Sequence, residues 1–298
     1  MATTVARLLT ITRLKGRRDR EHLLAHVLGK PREWLLAHPE APVQPATVAR
    51  YRPLVRRLQR GEPLPHLLRE HWFYGRPFTV NKHVLIPRPE TELMVELALN
   101  QTQNAKLKAQ NSVIVDVGTG SGCIAVTLAA ELPHARVIAT DTSATALRVA
   151  RANARSHGVG NRIRFLRGDL LKPLLKPRGI PRLRSAPRSF ARDKFASTLV
   201  LANLPYLTTA EWRALPRSLR AYEPRQAFDG GPDGLTPFRK LFVQIRSIPM
   251  IHDSLFIILE IDPRRKRALS ALVRKTLPTW RASWHKDLAG RWRVLQLQ

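Results

Sequence analysis

Five short apolar runs, separated by segments of helical character, limit what this chain can fold into. They are Val113 to Val117, Val137 to Asp141, Ile163 to Leu166, Leu199 to Ala202 and Leu255 to Ile261. The first is followed by a Gly-rich turn and then a helical stretch from Ile124 to Leu132, and the second by another from Ala144 to Ser156. Strands alternating with helices pack as a parallel sheet covered on both faces. The expected class is α/β and doubly wound, with ligands at the carboxyl ends of the strands.

The part before this pattern reads differently. Residues 1 to about 70 carry apolar stripes at helical spacing, Leu23-Leu24-Val27-Leu28 and Val48-Tyr51-Leu54-Val55-Leu58, punctuated by Pro31, Pro39, Pro42 and Pro45. Trp72 to Gly75 and Phe78 to Val80 flank a glycine turn and predict a hairpin. The expected division is a helical unit over 1–70, a hairpin and linker over 71–105, and an α/β unit over 106–298. A polar stretch from Gln103 to Asn111 precedes the α/β unit. Lys172 to Lys194, rich in Arg, Lys and Pro with Asp193 its only acid, predicts a surface excursion.

The 298 residues include 51 Lys and Arg against 22 Asp and Glu, a formal charge of +29. Such a surface favours acidic partners, nucleic acid or ribosomal particles, although a general preference for Arg gives the same number. A single cysteine, Cys123, excludes an intramolecular disulfide and a cysteine-based zinc site. It is expected as a small buried helix residue. No apolar run reaches the length of a membrane span. A reducing, cytoplasmic setting is expected. Because the first acid is Asp19, an organellar leader and a mitochondrial matrix location form the alternative; Val5 to Leu9 also read as the start of a first helix.

Two motifs sit at strand ends. Asp116-Val117-Gly118-Thr119-Gly120-Ser121-Gly122 lies between a strand and a helix, where alternating glycines let the backbone approach a ligand. Its spacing disfavours a dinucleotide fingerprint, and no Gly-Lys-Ser/Thr follows for a phosphate loop. Asp141 ends the second strand, where a carboxylate can accept two ribose hydroxyls, and Asp169 follows the third within reach of an adenine. A loop and two acids on consecutive strand ends suit S-adenosyl-L-methionine.

Asn203-Leu204-Pro205-Tyr206 closes the fourth strand. The Asn carbonyl oxygen and the next backbone carbonyl can each accept one hydrogen of an –NH2 group. Proline fixes the chain direction and tyrosine offers a flat face. An ordinary turn uses the same residue types.

With both motifs placed, the chain resembles the HemK-type N5-glutamine methyltransferases of peptide chain release factors, nearly end to end. Leu24 to Lys30 and Trp34 to Glu40 look like that family's amino-terminal helices. Gly61 to Leu64, Phe73-Tyr74-Gly75 and Leu85 to Glu92 are similar to its linker. Glu223-Pro224, Asp229-Gly230-Gly231, Asp233-Gly234-Leu235, Leu259-Glu260-Ile261 and Asp287 to Arg291 follow in the family's order. Leu204 stands where the family usually has proline, and Asp262 where it usually has glycine.

The resemblance implies a mostly parallel, seven-stranded Rossmann-like methyltransferase sheet. It implies cofactor contacts from Asp116, Gly118 to Gly122, Asp141, Asp169 and Leu170, with Asn203 near the methyl group. Asn203, Pro205 and Tyr206 are the expected catalytic residues, and Asn203 to Tyr206 the grip on the glutamine of a Gly-Gly-Gln loop. The partner is then a class I release factor and the role support of translation termination, with RNA or ribosome contact through the basic surface, no membrane, and a monomer. No histidine pattern suggests a metal. Glu90 and Glu92, just after Pro89, read either as helix caps or as lining for the cofactor entrance.

Three alternatives use the same residues. Adenine-N6 methyltransferases of rRNA or DNA share the tetrapeptide, and the charge favours them. A ribosomal-protein glutamine methyltransferase is the second, although there the run after Pro87 usually lacks the Arg88-Pro89-Glu90-Thr91-Glu92 pattern seen here. A ribosome- or RNA-associated binding protein would not need Asp141 and Asn203 intact.

Overall fold

The computed structural model describes residues 3–10, 16–103, 113–175, 198–247 and 255–298. The polar stretch 104–111 and residues 176–194 of the basic excursion lie outside them; Lys172–Leu175 form one helical turn.

Among the described residues, five helices build the amino-terminal part: α1 (Val5–Thr10), α2 (Arg17–Leu28), α3 (Arg32–Ala37), α4 (Pro45–Gln59) and α5 (Leu64–Leu68). The two apolar stripes meet in their core, where Leu23, Leu24, Val27, Val48, Tyr51 and Val55 are buried with Val5, Leu8 and Leu9 of α1. Pro45 occupies the first turn of α4, where no N–H is missed, whereas Pro53 stands inside that helix.

The predicted hairpin is β1 (His71–Phe73) and β2 (Arg76–Phe78), joined by Tyr74 and Gly75, both in the left-handed region at φ 49° and 69°. A short 3₁₀ turn, Pro89–Thr91, then leads into α6 (Glu92–Gln103). Glu92 does not cap that helix: its carboxylate accepts the Tyr74 N–H at 2.7 Å and ties the hairpin to α6.

The main sheet has seven strands in the order β5-β4-β3-β6-β7-β9-β8. The five predicted runs form β3 (Val113–Val117), β4 (Arg136–Asp141), β5 (Ile163–Arg167), β6 (Thr198–Ala202) and β7 (Leu255–Glu260), all parallel. The other two, β8 (Ala282–Lys286) and β9 (Trp292–Leu297), run antiparallel at the edge, and Asp287 to Arg291 make their turn.

Alternation along the strands feeds two cores. Ile114, Leu199, Leu201, Phe256 and Ile258 face α6, α7 (Cys123–Glu131) and α8 (Ala144–Ser156). Val113, Val115, Val117, Val200 and Ile257 face α12 (Thr236–Arg246) and α13 (Lys266–Thr276). The turn at 172–175 is α9; two short helices, α10 (Thr209–Ala214) and α11 (Arg217–Tyr222), follow β6. Cys123 opens α7 and is buried there, which pushes its thiol up to about 12.

Candidate active site

Strand order reverses between β3 and β6, because β4 and β5 lie on one side and β7 on the other. A parallel sheet opens a ligand crevice at such a point. Register makes this specific. Val117 pairs with Thr140 on β4 and with Ala202 on β6, and Ala202 pairs with Leu259 on β7. The next residue on each strand is therefore Asp141, Gly118, Asn203 and Glu260, side by side on four neighbouring strands.

These ends border a cleft of about 430 Å³. Gly118, Thr119, Gly120, Ser121, Asp141, Asp169, Leu170, Asn203, Leu204 and Pro205 all line it. The linker supplies the facing wall through His83, Val84, Leu85, Pro87, Arg88 and Thr91. Of the segment at Glu90 to Glu92, it is Thr91 between the two acids that reaches the cleft.

Three expected contacts stand behind the wall. Asp116 is 1 % exposed; Oδ2 accepts the Thr119 hydroxyl at 2.6 Å and the Ala125 N–H at 3.2 Å. It serves the amino end of α7, whose cap residue, Gly122, has no side chain to do so. Burial pushes this carboxyl up to about 7. Gly122 holds φ 83°, and a Cβ there would stand 3.0 Å from the Ala150 Cβ, so it lets α8 close against the loop. Tyr206 packs on the α12 core rather than facing the cleft, and burial raises its phenol.

The loop is held from outside. Gly118 and Thr119 donate their N–H groups to the Thr140 carbonyl, each at 2.9 Å. Buried Asn153 donates to Ser121 and Thr79 carbonyls at 2.8 and 3.0 Å and accepts the Thr79 N–H, joining loop to linker. Asp141 accepts Gly120 N–H on Oδ2 at 3.0 Å and Ser143 N–H on Oδ1 at 2.8 Å. Each oxygen keeps a lone pair for a hydroxyl. Burial raises the Asp141 carboxyl above its ordinary range. Leu170 turns at φ 54°, and the next N–H, of Leu171, is held by Gln244 Oε1 at 2.7 Å.

The Asn203 tip is equally fixed. Gly230 donates to the Leu207 carbonyl at 2.7 Å and Leu207 to the Phe228 carbonyl at 3.0 Å. A Cβ on Gly230 would come within 2.5 Å of the Pro205 oxygen, so glycine is what allows this backbone contact. Leu204 fills the core at 2 % exposure, with Cδ2 beside Gly118. Asn203 Nδ2 donates to Thr91 Oγ1 at 3.0 Å and Glu260 Oε2 at 2.9 Å. Thr91 Oγ1 donates to the same Glu260 oxygen at 2.5 Å. Burial pushes the Glu260 carboxyl up to about 7, with Thr91 working against the rise. Asp262 has a local use: it caps the turn Pro263–Arg265 by accepting the Arg264 N–H at 2.8 Å.

Residues 4–68 match the PrmC N-terminal domain model, and residues 114–180 match a methyltransferase domain model. The release factor glutamine methyltransferase of Chlorobaculum tepidum is 42 % identical over 231 residues, covering 76 % of this chain and 73 % of that protein. The chain belongs to the release factor glutamine methyltransferase family. The Bacillus subtilis member is 35 % identical, covering 92 % of this chain and 88 % of its own length. That of Rhodopirellula baltica is 34 % identical over 99 % of this chain and 96 % of its own. Among solved structures, human methyltransferase 10 domain containing protein shares the fold at a TM-score of 0.51 and 15 % identity, covering 75 % of this chain and 88 % of that one.

This is a family of S-adenosylmethionine-dependent methyltransferases, and the cleft fits that cofactor. Left-handed glycines keep one wall bare, Asp141 offers hydroxyl acceptors at the end of β4, and Ile124, Ala146 and Leu170 give apolar surface for a base. Thr91, Glu260, Asn153 and Glu223, whose carboxylate holds the linker through Ile86 N–H and Arg88, were not expected at the site. One local signal existed for Glu260: an acid ends the otherwise apolar run Leu255 to Ile261 and must find partners there. No helix among the described residues is long and apolar enough to cross a membrane.

Proposed function

We propose that this chain methylates the N5 amide nitrogen of the glutamine in the Gly-Gly-Gln loop of class I release factors. Family membership supports the reading, and one observation carries it to the site: Asn203 turns its Nδ2 away into a buried pair of acceptors. That leaves its Oδ1 as the acceptor for an –NH2 group at the cleft. Bound S-adenosylmethionine supplies an electrophilic methyl group on a sulfonium.

An amide nitrogen is a weak nucleophile because its lone pair is delocalised. Asn203 Oδ1 and the Leu204 carbonyl would each accept one of its hydrogens and hold the nitrogen towards the cofactor half of the cleft. The gain comes from orientation and from charge placement at a cationic nitrogen, not from a strong base. The amide nitrogen, cationic once it has taken the methyl group and the cofactor has left as the neutral thioether, would release one proton to water. Asp141 and the backbone from Gly118 to Ser121 would hold the cofactor, with Asp169 and Leu170 at its adenine. The helical part over 1–70 would dock the body of the factor.

The basic surface supports a further contact with RNA. Between Asp141 and Asp169 the chain has no acid and six arginines, at 148, 151, 155, 162, 164 and 167. They lie on α8 and on or just before β5, the open edge of the sheet. Arg151, Arg162 and Arg167 donate to backbone carbonyls of Phe165, Leu132 and Thr142, which orients them without cancelling charge. A phosphate backbone, such as that of ribosomal RNA, is the kind of partner this edge suits.

The deciding experiment incubates the protein and labelled cofactor separately with a release factor and with rRNA. Label is expected on the Gly-Gly-Gln peptide. Label entering RNA alone would overturn the reading and favour an adenine-N6 activity.

A further inference from the structure

We infer that Glu260 and Thr91 are positioning residues, which decide which end of the Asn203 amide faces the substrate. This rests on the proposed glutamine chemistry.

The two ends of an asparagine amide are nearly the same size, so shape does not choose between them. Hydrogen-bond partners must. Glu260 Oε2 is an acceptor when ionised and sits 2.9 Å from Nδ2. The Thr91 hydroxyl has one proton, and it goes to that same oxygen. The hydroxyl oxygen, 3.0 Å from Nδ2, can then only accept. Both partners thus present lone pairs, and a flipped amide would set its own oxygen against them.

The consequence reaches the substrate. With Nδ2 inside, Oδ1 faces the cleft and accepts from an –NH2. Flipped, Asn203 would offer N–H to N–H and repel the group to be methylated. The carboxylate therefore reads out, one residue removed, as a preference for a donor.

The arrangement is also costly as mere packing. Glu260 is 1 % exposed on a strand whose other residues are apolar, and it forms no ion pair with any described residue. Thr91, Asn203 and Glu260 come from the linker turn, the β6 tip and the end of β7, 57 or more positions apart in sequence. A triangle of this kind, closed on an amide that lines the cleft, is built for direction.

The test uses the full chain with Glu260→Gln, Thr91→Val and Thr91→Ser. Glutamine can donate as well as accept, and valine removes the hydroxyl while keeping shape. Both should lower kcat on a release factor by about ten- to a hundred-fold. Binding of S-adenosylhomocysteine by calorimetry and the melting temperature should stay near wild type, and Thr91→Ser should restore kcat. Independently of activity, the Asn203 side-chain NH2 protons should be slow to exchange by NMR in wild type and fast in Thr91→Val. A folded Thr91→Val or Glu260→Gln with wild-type kcat and a protected NH2 would overturn the inference, as would Thr91→Ser no better than Thr91→Val. If Glu260→Gln does not fold, the two Thr91 variants decide. Wild type that leaves the factor unmethylated while the NH2 exchange behaves as stated would instead sink the functional reading alone.

Discussion

Glu223 Oε2 accepts the backbone N–H of Ile86 at 3.0 Å, while its Oε1 meets the Arg88 guanidinium at 2.7 Å. A residue after the Asn203 tip therefore pins the linker that forms the opposite wall of the cleft. Arg88→Ala would leave a fully buried carboxylate without its cation and should cost about 3 kcal/mol in a denaturant titration. The same variant should raise KM for the release factor more than that for the cofactor, since it loosens the wall rather than the glycine loop.

Asn203→Ala removes the side-chain acceptor and keeps the backbone one. Turnover on a release factor should fall by about a hundred-fold, the size typical of one electrostatic partner in a transition state. Cofactor affinity by calorimetry should change little. Unchanged turnover would refute the clamp.

Gly122→Ala places a Cβ 3.0 Å from that of Ala150 at a backbone φ of 83°. Strain and contact together should destabilise the fold by about 1–3 kcal/mol. Cofactor binding should weaken as well, because α8 and the loop must part; melting curves with and without S-adenosylhomocysteine would show both effects.

Asp116 gives a pH signature. Its folded carboxyl lies at about 7, above the ordinary 3.8, chiefly from burial, with Asp141 adding to the rise and Thr119 and Ala125 opposing it. A raised folded value means that the acid stabilises the fold below its unfolded pKa and loses this as pH climbs through about 7. Asp116→Asn cannot ionise. Between pH 4 and 7 the wild type should therefore lose stability relative to Asp116→Asn. A constant difference across that window would show that Asp116 is not titrating there.

Replacing Arg148, Arg151 and Arg155 with Gln should reduce the slope of log affinity for rRNA against log salt by up to about three units. Methylation of the isolated factor should be unaffected. An unchanged slope would remove this edge of the sheet from any RNA contact.

Strands β3, β4, β6 and β7 were legible because each is a short, largely buried apolar run, as at Leu255 to Glu260. β8 was not, since Ala282 to Lys286 is an exposed edge with Ser283 and Lys286 where a buried strand has apolar residues. Gly118 to Ser121, Asp141 and Asn203 were read from local chemistry at strand ends, and the fold brings them to one cleft. Asp116 misled, because strand alternation turns its side chain under α7 and not towards the cleft. Thr91 and Glu260 mean little until β6 and β7 are in register, for their role exists only in the contact between them and Asn203.

The alignment of Asp141, Gly118, Asn203 and Glu260 on four adjacent strands has an evolutionary consequence. Neighbouring strands keep a separation of about 4.8 Å whatever their side chains. On the proposed reading, the half of the sheet assigned to the methyl donor and the half assigned to the acceptor are thus spaced by the backbone ladder. A new acceptor group would then call for changes at the tips of β6 and β7 and at Thr91 of the linker turn, with the donor side inherited intact.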